Sequence, residues 1–389
     1  MSVFSAADIL LPHNISMEKW AVIACDQFAS EPGYWQTARE YVGDAPSALH
    51  LIWPEAELAD DAASRIANIN RSMASYLRQD FLKTYQNAYV YVERTLLDGK
   101  IRRGVVGMLD LECYDYLPDT DLPVRATEKT VVERIPPRVN IRKDAPMELP
   151  HVLLLCDDPQ QIIFSGICKD DLPVVYDFDL MQGGGHITGW LLQGQHAQAF
   201  DQAIARYEAN CGAVKYAVGD GNHSLASAKA CYEQSKLPAA RYALVELENI
   251  HDEAQVFEPI HRIIKDTDPK ALLATLPQSE DGYALNWFSG AEQGVVKLKL
   301  APGQLPVGAL QNFLDQWLAS HPGETDYIHG DESLKALSRQ ENAIGFLLPA
   351  MEKSQLFPGI LADGVLPRKT FSMGHAQEKR YYLEARLIK

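Results

Sequence analysis

Several common signatures are missing from this sequence. It has no stretch of about 18 consecutive apolar residues, which excludes a membrane-spanning helix on composition. The opening "MSVFSAADILLPHNISMEKW" has no basic start followed by an apolar core, so no secretory leader is expected. The six cysteines, at positions 25, 113, 156, 168, 211 and 231, include no C-x-x-C pair. That argues against a zinc or dithiol site and for reduced thiols in a cytoplasmic protein. Basic residues are in deficit, with 36 Lys and Arg against 52 Asp and Glu and a net charge of -16. No nucleic-acid partner is therefore expected, although a local basic pocket for a phosphate remains compatible with the balance. Walker, G-x-G-x-x-G, H-E-x-x-H and G-x-S-x-G motifs are all absent, and no repeat is visible.

What the 389 residues do contain is a globular composition, 47% hydrophobic and 23% charged, enough for two or three domains with their own cores. "KWAVIACDQF" reads as a buried strand over Trp20 to Ala24 that ends at Asp26. In "ASRIANINRSMASYLRQDFL", Ile66, Ile69, Met73, Leu77 and Phe81 recur at helical spacing. "NAYVYVERTLLDGKIRRGVVGMLDL" reads as a hairpin turning at Asp98-Gly99. From Asp115 to Pro150 apolar periodicity fades, and a long ordered loop is expected, of the kind that often carries function. Strands follow in "HVLLLCDD", near Val174 to Phe178, and in "RYALVELENI", with a helix over His196 to Asn210. Leu310, Phe313, Leu314 and Trp317 mark another helix; "ENAIGFLLPA" and "RYYLEARLI" read as late strands. The irregular alternation indicates a mixed α/β (α+β) protein, with boundaries placed near 140 and 270.

One turn concentrates hydrogen-bonding side chains. In "YAVGDGNHSLASAKA" a strand runs through Asp220, Gly221, Asn222, His223 and Ser224 into a helix. A glycine at such a junction lets a ligand approach the backbone, and the amides of a helix start favour an anion. The same residues also serve as plain turn chemistry with an N-cap, and the pattern alone does not choose between these uses. The glycine run Gly183 to Gly185, before His186, is likewise either a phosphate cradle or a turn.

The segments "KWAVIACDQFASEPGYW", "GDAPSALHLIWPE", "RATEKTVVERIPPR", "GDGNHSLASAKA", "NIHDEAQVFEPIHR" and "LPRKTFSMG" together resemble the DUF1015 family over nearly the whole length. Many members carry Asp-Gly-His-His-Arg at the turn, a pentapeptide that looks like the nucleotide-phosphate turn of the ParB/sulfiredoxin-like superfamily, which includes kinases of free serine. The resemblance implies a ParB/sulfiredoxin-like domain over 141–270, flanked by an N-terminal α/β domain over 1–140 and a C-terminal α/β region over 271–389 that closes the site. It also implies a phosphate-handling turn. Here Asp220, Gly221 and His223 are kept, while Asn222 replaces a His and Ser224 replaces the Arg. Loss of that Arg removes a strong bidentate donor, so either another basic residue supplies the charge or the phosphate is not bound here in the same way.

By this resemblance the expected function is phosphoryl transfer between ATP or ADP, with Mg²⁺, and a small hydroxyl metabolite, free serine being the first to test. A phosphatase or nucleotidase, or a non-catalytic nucleotide sensor, would use the same groups. Asp26 or Glu128 is the expected base, Asp220 the metal ligand, and His223 a phosphate donor beside Gly221, Asn222 and Ser224. Arg125, Arg134, Arg138, His261, Arg262 and Lys369 are the expected phosphate-binding groups, and all are expected to meet in one electropositive cleft. Cys25 carries no neighbour that marks it as activated. A homodimer is the assembly this reading allows.

Overall fold

The computed structural model describes all residues except Met1, 59–61, 118–119, 129, 131–134, 364, 368 and 375; for residues 137 and 363 only the backbone is described. The chain is mixed α/β and divides into two compact units. The first comprises 1–126, 130–255 and 374–389; the second comprises 127–129 and 256–373.

An eleven-stranded sheet organises the first unit. Its main path runs Val174–Asp179, His186–Leu192, Leu82–Thr95, Ile101–Asp110, Tyr242–Asn249, Leu153–Cys156, Tyr216–Asp220, Val124–Ala126 and Tyr114–Asp115. Side chains alternate across it with the period of two that a pleated strand imposes. Tyr89, Tyr91, Val105 and Val245 enter one apolar cluster, whereas Val90, Val92, Val106 and Leu244 enter the other. Helices cover both faces. Phe200 and Ile204 of the Gln195–Asn210 helix join Leu225 of the Asn222–Ser235 helix on the first face. Ile69 and Met73 of the Ala62–Arg78 helix join Trp20 and Trp35 on the second. Each fully buried side chain of this size contributes about 1.5–3 kcal/mol through water exclusion.

The expected hairpin is present, with Thr95 paired to Ile101 and Gly99 at φ +84° in the turn. The apolar run after Lys19 is buried as expected, but only Val22–Ile23 is strand. Ser16 caps a short helix, Met17–Trp20, which takes up the beginning of the run. The segment 115–150 holds more structure than a loop: the Val124–Ala126 strand, the Ile135–Arg142 helix and the Met147–Glu148 strand. The C-terminal stretch does not form one strand. Tyr381–Tyr382 pairs with Val22–Ile23, and Arg386–Leu387 pairs with Met147–Glu148. Gly183 to Gly185 connects two adjacent strands. A Cβ on Gly185 would lie 2.1 Å from the Thr95 carbonyl oxygen, so this run is a close-packed turn. No described helix is long and apolar enough to cross a membrane.

The second unit is built on a six-stranded sheet. Its central strand, Phe257–Lys265, pairs with Glu324–His329, Ile344–Leu347 and Phe371–Met373. Gln278–Ser289 and Glu292–Leu298 form its outer hairpin. Leu310, Leu314 and Trp317 of the Pro306–Leu318 helix are buried, as their spacing requires.

Candidate functional site

The site in the first unit begins where the Tyr216–Asp220 strand turns into the Asn222–Ser235 helix. Gly221 makes the turn at φ +79°, a left-handed conformation, and no side chain caps the helix. Space as well as φ demands glycine here. An added Cβ would lie 3.0 Å from Val152 Cα and 3.3 Å from the His151 ring. The Gly221 amide donates to Asp220 Oδ1 at 2.8 Å, and Lys379 Nζ lies 3.2 Å from Asp220 Oδ2. Burial pushes the Asp220 carboxyl up, but Lys379, His151 and the Gly221 amide outweigh it and hold the group below its ordinary value. Asn222 is buried, and its Oδ1 has no hydrogen-bond partner among the described residues. His223 is half-buried, and its carbonyl accepts from Ser227 Oγ at 2.7 Å.

Ser224 and Ser227 line a cavity of about 130 Å³ together with Cys25, Arg138, Arg142 and His151. Leu51, Trp53 and Met73 contribute apolar wall. A polar relay runs along one side: His151 Nδ1 lies 2.8 Å from the Tyr382 hydroxyl, which is 3.2 Å from Cys25 Sγ and accepts from the Cys25 amide at 3.3 Å. Burial, reinforced by Asp26, pushes the Cys25 thiol up to about 11, so it is a neutral thiol at physiological pH. Asp26 is half-buried and accepts from Gln27 Nε2 at 3.0 Å. Arg138 pairs with Glu55, and Arg142 with Glu148 at 2.5 Å. Arg138 and Arg142 are one helical turn apart, which points both at the cavity. Arg125 lies elsewhere in this unit. It is buried in its strand and donates through Nε to the Leu122 carbonyl at 3.0 Å. Arg134 falls outside the described residues.

Glu128, His261, Arg262 and Lys369 belong to the second unit. Glu128 Oε2 accepts from the Lys369 amide at 3.1 Å, and the Lys369 carbonyl accepts from Arg262 at 2.9 Å. Arg262 is fully buried, donates also to Gln311 and to the Ile260 carbonyl, and lies over the Tyr327 ring. Burial pulls its guanidinium down to about 10. His261 is buried too. Its Nδ1 accepts from the Leu348 amide at 3.1 Å, so in the neutral ring Nε2 carries the proton and donates to Asp331 at 3.1 Å. Only Lys369 of this group has an exposed side chain.

Three participants in the first-unit site escape sequence reasoning: His151, Lys379 and Tyr382. Each sits in a stretch without a motif, and Lys379 and Tyr382 lie more than 150 residues from the turn in sequence. The basic residue that the structure places beside the turn is Lys379, which lies outside the 125–138 region and the Lys369 segment that the sequence points to.

Compared with known proteins, the chain matches over residues 10–384 the family model described as "Protein of unknown function (DUF1015)". No curated protein matches it. Among solved structures, it resembles a conserved hypothetical protein from Pyrococcus furiosus at 12% identity and a TM-score of 0.37, covering 70% of this chain and 92% of that one. It also resembles a free serine kinase in complex with AMP, at 10% identity and a TM-score of 0.40, covering 71% and 90%. A third, SbnI with a C-terminal truncation from Staphylococcus aureus, has 10% identity and a TM-score of 0.38, with 69% and 83% covered. Likeness this remote is too weak to carry an activity across.

Proposed function

The chain belongs to the DUF1015 family, and from that premise we propose that its first unit binds the phosphate end of a nucleotide at the turn 220–224 and moves a phosphoryl group to a small hydroxyl metabolite. One observation carries this reading. An uncapped helix start, bent by a left-handed glycine, opens with Ser224 onto a cavity walled by Arg138, Arg142 and His151. The amides of Asn222 and Ser224 are first-turn donors that no carbonyl of their own helix can satisfy, and the helix dipole favours an anion there.

Size divides the ligand. A cavity of about 130 Å³ holds a phosphoryl group or a small acceptor, whereas pockets for larger organic ligands run to roughly 300 Å³ or more. The nucleoside therefore lies outside it. Asp26, the sequence neighbour of the cavity-lining Cys25, takes the acceptor's hydroxyl proton; His223 and Arg138 bind phosphate oxygens. Lys379 takes the place of the absent Arg as the cation beside the turn, a point charge rather than a fork.

Asp220 is already engaged by Lys379 and the Gly221 amide, and among the described residues no three His, Cys, Asp or Glu side chains gather as a cation site. A divalent ion therefore arrives with the nucleotide, held by phosphate oxygens and at most one carboxylate, as is usual for Mg²⁺. When bound, it would neutralise phosphate charge.

The test is calorimetric titration with ATP and ADP, each with Mg²⁺, on the parent, His223→Ala and Arg138→Gln, alongside ³¹P NMR of ATP with serine and other small alcohols. A charge-assisted contact contributes about 1.5–3 kcal/mol, so each variant should bind roughly one to two decades more weakly. Phosphate release without an acceptor would assign hydrolysis, and binding without turnover a sensor. Unchanged nucleotide affinity in both variants would remove the turn from the site.

A further inference from the structure

A second cavity in the first unit lies away from the turn. It has a volume of about 420 Å³, and its walls come from the Pro32–Val42 helix, the turn that follows it, the Ala48–Leu51 turn and the Ala62–Arg78 helix. Leu49 and Ile69 give it an apolar floor. The polar groups around that floor are mostly donors. Arg65, Asn68 and Ser72 follow one another at three- and four-residue spacing, which sets them on one helical face, and all three line the space. Arg39 and His50 face them.

The hydrogen bonds of these groups leave donors over. Arg39 and Arg65 both pair with the one carboxylate of Glu57, Arg65 at 3.6 Å. Arg65 Nε is closed to solvent yet has no hydrogen-bond partner among the described residues. Asn68 Oδ1 is taken by Arg71 at 2.8 Å, which leaves its amide hydrogens to donate. His50 Nδ1 is taken by the Tyr76 hydroxyl at 2.7 Å, which leaves Nε2 as the ring's other hydrogen-bonding atom. Among the described residues, Asp44 is the only carboxylate in the wall. Two guanidiniums sharing one carboxylate repel each other. Burial, with help from Arg65, pulls the Arg39 guanidinium below its ordinary value, and the same two causes, partly opposed by Asp44, lower His50.

We propose that this cavity is a binding site for a small oxyanion metabolite, a phosphate ester or a dicarboxylate, held between Arg39 and Arg65 with Asn68, Ser72 and His50 completing its hydrogen bonds. An oxyanion pairs with the part-exposed Arg39 and Arg65 guanidiniums and relieves the repulsion between them, and the volume leaves room for the rest of the metabolite. Planar carboxylates and phosphates both match the guanidinium fork, so the chemistry shared by the two classes is what the wall specifies. The site is separate from the proposed phosphoryl-transfer site and does not depend on that reading.

The experiment is protection of arginines from phenylglyoxal, mapped by peptide mass spectrometry on the full chain. Inorganic phosphate and succinate are the two probes. Mapping by peptide reads this cavity alone, whatever happens at Arg138. Either probe should slow modification of Arg39 and Arg65 saturably, and the tighter probe names the class. Arg65→Gln should raise the dissociation constant about tenfold or more, because one charge-assisted donor set is lost. Its circular dichroism should match the parent, and Arg39→Gln provides the same test from the facing helix. Failure of both probes to protect these two arginines, or protection of Arg39 that persists unchanged in Arg65→Gln, would overturn the proposal.

Discussion

Replacing Gly221 by Ala tests the geometry on which the site rests. A residue with a Cβ held in the left-handed region costs about 1–2 kcal/mol. The added carbon would also lie 3.0 Å from Val152 Cα and 3.1 Å from Val152 Cγ2. Val152 adjoins a central sheet strand, so its backbone cannot yield as a flexible side-chain end would, and overpacking of this kind costs about 1–3 kcal/mol. The loss expected for Gly221→Ala is therefore roughly 2–5 kcal/mol. Gly221→Asn separates the two causes, since asparagine tolerates the left-handed region better but keeps the Cβ. It should recover part of the loss and never all of it. Urea unfolding followed by circular dichroism and tryptophan fluorescence measures both variants, with separate transitions fitted if the two units unfold separately. An alanine variant within about 0.5 kcal/mol of the parent would show that the turn is not built this way.

Other outcomes follow from the same contacts. Lys379→Met strips Asp220, itself only 22% exposed, of its ion-pair partner and should cost roughly 1–3 kcal/mol. Because Asp220 titrates below its unfolded value in the parent, the stability it contributes is full above about pH 4 and is lost as pH falls through the folded value. The gap between parent and variant in urea should thus be complete at pH 7 and shrink at pH 3, and a pH-independent gap would refute the pairing. Cys25, with its thiol at about 11, should react with iodoacetamide slowly at pH 7, accelerating by about tenfold per pH unit through pH 8–10 in a mass-mapped assay; fast labelling at pH 7 would contradict the raised thiol. Arg262→Met removes the donor that the Gln311, Ile260 and Lys369 acceptors share inside the second unit and should cost about 3 kcal/mol or more. Equal stability by urea unfolding would mean that this arginine does not hold the Lys369 segment.

What the sequence reveals is mostly local. The 62–78 helix, the hairpin at Asp98-Gly99 and the 306–318 helix each declare themselves because their periodicity is uninterrupted. The 115–150 segment hides its structure for a physical reason. Pro136 and Pro137 look like helix breakers, yet proline is tolerated in a first helical turn, where its missing N–H would lack a partner anyway. The strands at 124–126, 381–382 and 386–387 are too short to show an alternation, and their pairing partners lie far away in sequence. The turn at 220–224 stands out from its composition, but the groups around it do not. Lys379 and Tyr382 lie at the C-terminal pairing of Tyr381–Tyr382 with Val22–Ile23, and His151 just before the strand that pairs with Tyr216–Asp220. Arg262 and His261 look alike in sequence to surface ligands, and only burial reveals that their hydrogen bonds are already committed.

The most direct test of the phosphate-binding turn is a crystal structure of the chain grown with ADP and Mg²⁺. The predicted result places phosphate oxygens within hydrogen-bonding distance of the Asn222 and Ser224 amides, with Arg138 or His223 in contact and the nucleoside outside the small cavity. A nucleotide bound elsewhere, with the 220–224 turn untouched at saturating ligand, would contradict the assignment.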